Sequence, residues 1–129
     1  MSTLPTSAMP SLPAPVPLMT AAEFAQKYDS DYVELVDGKV QEAAMLQLKH
    51  GRSCLGIGRL VDEHAEKADL GRVMSNDSFV MTGSNPDTVR GADLCFYSYQ
   101  RLPKGKIPNG LLSITPDLVI EVRSPSQLW

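Results

Sequence analysis

Apolar and polar side chains alternate through "DYVELVDGKVQEA", residues 31–43, and the alternation breaks at Asp37-Gly38. Val33 and Leu35 fall on one face of the first arm, with Tyr32, Glu34 and Val36 on the other. A dipeptide that tolerates positive φ between two such arms predicts a β-hairpin. Glu34 then points the same way as apolar neighbours, an unusual place for a carboxylate.

From residue 46 to 67 the period lengthens. Leu46, His50, Cys54, Ile57, Val61 and Ala65 follow steps of three and four and form one stripe, with Arg52, Arg59, Glu63 and Glu66 largely off it. That is an amphipathic helix. Gly51, Gly56 and Gly58 each cost it up to about 1 kcal/mol relative to Ala, and close approach to a sheet is the expected compensation. Gly71 is expected to end the helix. Earlier, "MTAAEFAQKYDS" predicts a short helix capped by Thr20, with Glu23 three residues on and Phe24 as its apolar anchor.

"RVMSNDSFVMTG" and "TVRGADLCFYS" read as strands around the turn "GSNPD", and "PDLVIEV" as a last strand with apolar side chains on both faces. Hairpin, helix and strands in that order predict an α/β (α+β) domain with a mixed β-sheet and flanking helices. Residues 1–18 contain five of the ten prolines and no charged side chain, a composition for a disordered Pro-rich tail. The domain is expected over 19–129.

A net charge of −3 gives no general attraction to polyanions, so contact with nucleic acid requires a local basic surface. Arg52, Arg59, Arg101, Lys104 and Lys106 read first as solvated charge, with "QRLPKGK" as a phosphate clamp in the functional alternative. Cys54 and Cys95 lack a thiol at two-residue spacing, which argues for core-filling thiols rather than a zinc ribbon or redox pair. No apolar run approaches the ~18 residues that would span a bilayer, so a cytoplasmic protein is expected. "GIG" at 56–58 lacks the rest of a dinucleotide loop, and the serines of "SPS" sit on no nucleophile elbow.

The acids carry more. Asp93 shares a strand face with Cys95 and Tyr97, and Glu121 sits with Asp117, Val119 and Arg123 on a strand apolar on both faces, so at least partial burial of Glu121 is expected. A carboxylate removed from water needs a cation, donors or a proton. An internal ion pair with Arg123 or another arginine answers that need for Glu121, and backbone amides answer it for Asp93. Were the strands neighbours, Glu34, Asp93 and Glu121 would form an oxygen-rich cluster suited to Mg²⁺ or Mn²⁺. His50 reads as a core histidine or as a group facing that cluster. His64, fourteen residues further along the helix, is ~21 Å away and cannot share its ion.

In order, "MTAAEF", "YVELVDGKV", "KHGRS", "GRVMSNDSFVM", "DTVRGADLCFYSYQRLP" and "PDLVIEVRSPS" resemble the Uma two family of restriction-endonuclease-like proteins, in the PD-(D/E)XK nuclease superfamily, over residues 19–129. The resemblance implies a restriction-endonuclease-like fold and Mg²⁺- or Mn²⁺-dependent hydrolysis of DNA phosphodiesters. Asp93 matches the acid of the first motif, with Ala92 where proline is usual. Glu121 matches the acid of the second, and Arg123 falls at the place of its lysine; Glu34 and His50 are lesser carry-overs. Family members usually continue after "SPS" with a lysine-bearing helix and another strand, and their lack predicts a C-terminally incomplete domain. Two readings stand: a metal-dependent DNA endonuclease domain, inactive in truncated form, and a non-catalytic remnant or assembly module forming homo-oligomers through an uncovered sheet surface.

Overall fold

Thr20 takes an extended backbone and accepts a hydrogen bond from Glu23 N at 3.3 Å, while Glu23 Oε2 accepts from Thr20 N at 2.8 Å. This reciprocal cap satisfies donors that a first helical turn leaves open, and α1 runs Ala21–Lys27 in the computed structural model, which describes residues 16–28, 32–43 and 47–123. Most of the expected tail lies outside the described residues, as do Leu46 and the "SPS" segment. Phe24 is fully buried and packs with Leu35, Val89 and Phe79 in one core cluster.

The hairpin forms as its pattern predicts, β1 Val33–Val36 against β2 Lys39–Glu42. Asp37 and Gly38 have φ of 48° and 73°, the left-handed pair of a tight hairpin turn. Leu35 is buried and Glu34 half-buried.

The long helix α2 spans Leu48–Lys67. His50 and Ala65 are buried, Cys54, Ile57 and Val61 are half-buried, and Arg52, Arg59, Glu63 and Glu66 are exposed, so the stripe holds. The glycines split. A Cβ on Gly58 would lie 3.1 Å from Leu94 Cδ2, whereas Gly51 and Gly56 face open space, so close approach explains only Gly58. Nor does Gly71 end the helix. Lys67 does, the chain turns at Asp69 with φ 52°, and Gly71 opens the next strand because any side chain there would strike the Tyr97 carbonyl and the Phe96 ring.

Strands β3 Gly71–Gly83 and β4 Thr88–Ser98 pair antiparallel along their length, and β5 is confined to Leu118–Ile120. The sheet order is β2-β1-β4-β3, with β5 also on β4, and each pairing among the described residues is antiparallel. Since β3 occupies one edge of β4, β1 and β5 share the other, β1 at Val89 and β5 at Leu94–Phe96. A second core cluster, with Val80, Ala92, Cys95, Tyr97 and Leu102, lies towards β5, where Val119 packs on it. No described helix is long and apolar enough to cross a membrane.

Candidate functional site

Two strands meet β4 end to end on one edge, leaving a seam at Arg90–Asp93 into which the acids project. β1 approaches the seam with its first residues and β5 with its last. Carrying the β4–β5 register one residue beyond Leu94↔Ile120 sets Glu121 across from Asp93, whose carboxylate acts on the acidity of Glu121. From the other side, Glu34 accepts from Gly91 N at 3.1 Å and from Arg90 Nη1 at 2.9 Å.

Asp93 does not face the way strict alternation requires. Ala92, Cys95 and Tyr97 share one core cluster, whereas Asp93 and Leu94 both meet α2, through His50 and Gly58. The cause is a bulge in β3. Ser75 pairs Leu94 and Ser78 pairs Ala92, so Asn76 and Asp77 stand together against Asp93, with φ of 68° and 51°. A bulge adds local twist and re-aims the side chains beside it. Here it turns Asp93 towards the helix.

Asp93 is 6% exposed, and its Oδ2 accepts from Val122 N at 2.6 Å and lies 3.0 Å from His50 Nε2. With Asp93 ionised, that pairing puts the imidazole proton on Nε2 and leaves Nδ1 as an acceptor. Cys54 Sγ lies 3.5 Å from Nδ1, one helical turn along the same face. Single donor atoms of His50, Cys54 and Asp93 all fall within 4.8 Å of one another. Cys54 therefore belongs to the site rather than filling the core, unlike Cys95, which is buried.

Crowding shows in the acidities. Loss of water, then the Asp93 and Glu34 carboxylates, push Glu121 up to about 7. By surface area the residue counts as exposed, since β5 ends at Ile120, yet loss of water is the first cause of its raised pKa, in keeping with the partial burial expected of it. Burial, then Asp93, raise Asp77 as well, with His50 acting in the opposite sense. Cys54 is raised by desolvation first and then by Asp93 and Asp77.

Asp77 was missed by the sequence analysis, although "SND" inside an apolar strand is a turn signal from which a bulge could have been read. The structure thus brings Glu34, His50, Asp93 and Glu121 to one seam and adds Asp77 and Cys54. Arg123 follows in the segment after β5 and is exposed. The basic loop is engaged elsewhere: Arg101 pairs with Asp117 at 2.7 Å and Lys104 with Asp69 at 2.6 Å. An apolar cleft under the 107–112 segment, lined by Val80, Cys95, Tyr97 and Leu112 among others, includes none of these acids.

A family model described as "Putative restriction endonuclease", Uma2, matches residues 21–128. This chain belongs to the Uma2 family. A crystal structure from Anabaena variabilis, titled as "a putative nuclease belonging to DUF820", matches with a TM-score of 0.71 at 24% identity, covering 85% of this chain and 61% of that one. The likeness shows a shared restriction-endonuclease-like fold, and this Uma2 chain spans 61% of that protein's length. No curated protein matches the chain significantly.

Proposed function

We infer that this Uma2 domain is a metal-dependent nuclease acting on DNA phosphodiesters, with Asp93 and Glu121 holding Mg²⁺ or Mn²⁺. The observation that carries the reading is the register that sets Glu121 across from Asp93 on β4, with Glu121 pushed up to about 7 by loss of water and then by the Asp93 and Glu34 carboxylates. Like charges forced together are what a divalent cation relieves, and an all-oxygen pair is the donor set a hard cation takes. When bound, such an ion draws charge from a phosphate oxygen and acidifies water beside it.

The chain's own groups have separable roles. Asp93 is fixed through Oδ2 by His50 and the Val122 amide, which orients its carboxylate. Glu34, tied to Arg90 and the Gly91 amide, walls the seam and contributes negative charge. Arg123 stands at the motif's lysine position and supplies a fixed positive charge towards phosphate, since a guanidinium does not lose its proton to act as a base.

The test is cleavage of supercoiled and linear DNA with Mg²⁺, Mn²⁺ or chelator, using wild type, Asp93→Asn and Glu121→Gln. Metal-dependent nicking lost in both variants is expected. A metal-induced rise in melting temperature of wild type, absent in Asp93→Ala, reads binding independently of turnover. Equal shifts in both proteins would remove the metal assignment.

A further inference from the structure

Oxygen chemistry does not account for Cys54. His50 and Cys54 stand at i and i+4 on α2, the spacing by which a helix presents two ligands to one ion. Asp93 meets them from β4. We propose that His50, Cys54 and Asp93 form a site for a transition metal of the Zn²⁺ class, distinct in chemistry from the carboxylate pair and sharing only Asp93 with it.

Distances support a tetrahedral ion. With Zn–S near 2.3 Å and Zn–N or Zn–O near 2.0–2.2 Å, donors on one tetrahedral Zn²⁺ lie about 3.3–3.6 Å apart. For one ion to meet all three, His50 ligates through Nε2 and gives up the proton it shares with Asp93: Nε2 is 3.0 Å from Asp93 Oδ2 and 3.9 Å from Cys54 Sγ, and one donor atom from each residue falls within 4.8 Å of the others, so shifts of about 1 Å close the set. Two of the three ligands are buried, His50 at 7% and Asp93 at 6% exposure. Cys54 is half-buried and still reachable. A set of one nitrogen, one sulfur and one oxygen selects Zn²⁺ or Co²⁺ over Mg²⁺, which prefers oxygen alone. Three protein ligands leave the fourth position of Zn²⁺ open. Because Asp93 is common to both sets, Zn²⁺ and Mg²⁺ compete, and Zn²⁺ suppresses whatever the Mg²⁺ form does.

Co²⁺ is the probe, since a thiolate bound to it gives a charge-transfer absorption in the near ultraviolet. Chelator-treated wild type is expected to show that band with one equivalent of Co²⁺, to lose it when Zn²⁺ is added, and to show none as Cys54→Ser. Zn²⁺ affinity in Cys54→Ser should fall by at least about tenfold, the loss that even an outer-shell change produces, while the melting shift given by Mg²⁺ is unchanged. Cys54→Ala serves if the serine variant fails to fold. A folded wild type without the band, a band that survives loss of the Cys54 thiol, or equal Zn²⁺ affinity would each overturn the site. The Mg²⁺ response is read separately, so either assignment can fail alone.

Discussion

Replacing Glu121 by glutamine removes the cost of ionising an acid that is partly withdrawn from water and crowded by carboxylates. Gln mimics the protonated acid: it still offers a donor to Asp93 but never ionises. In metal-free wild type, a folded pKa of about 7 against an ordinary 4.5 means that the native state holds a proton the unfolded chain has released. Stability contributed by that proton is present below pH 4.5 and is lost as pH rises to 7, and the full penalty persists above. Sealed from water, the displacement would correspond to about 3 kcal/mol. Glu121 is exposed, so solvent screens the repulsion, and about 1 kcal/mol is expected. Thermal melts in chelator at pH 5, 6, 7 and 8 should therefore find Glu121→Gln equal to wild type at pH 5 and about 4 °C more stable at pH 8. Adding Mg²⁺ at pH 8 should reverse the order, because only the wild type keeps the ligand. A melting difference independent of pH would refute the raised pKa of Glu121.

Other perturbations separate local from tertiary causes. Gly56→Ala should raise stability by about 0.5–1 kcal/mol in chemical denaturation, because its helical site is open. Gly71→Ala should lower it by about 1–3 kcal/mol, since its Cβ meets backbone and an aromatic ring. Thr20→Ala breaks the capping box and should cost about 1 kcal/mol, measurable as a lower denaturant midpoint with unchanged slope. Arg90→Ala removes an exposed partner of Glu34 and should change stability by less than about 1 kcal/mol at low salt, with the difference shrinking as salt is added.

Local rules were legible where local physics decides. The Thr20 cap, the Asp37-Gly38 turn and the α2 stripe depend on neighbours within a turn or two, and each forms at its predicted place. Gly71 illustrates the limit: a glycine after a helix resembles a stop signal, yet its reason for being there is a carbonyl 26 residues away in the chain. The site shows the same division. Which acids sit on strands could be read from period two, but not that the β3 bulge turns Asp93 to α2, nor that Asp77 arrives with it. Cys54 lay on the predicted stripe, and only the direction of Asp93 makes a core thiol into a neighbour of carboxylates. Glu121 was expected within the last strand, and that strand ends one residue before it.

The split edge of β4 has a mechanical side. Phe24, Leu35 and Val89 consolidate the half near β1, and Cys95, Tyr97 and Val119 the half near β5, so the acids occupy the border between two separately packed bodies. Glu34 and Glu121 are anchored one in each. An ion gripping Glu121 and Asp93 would act as a rivet beside that border, and hydrogen exchange should slow at the Val122 amide sooner than at Leu35 when it binds.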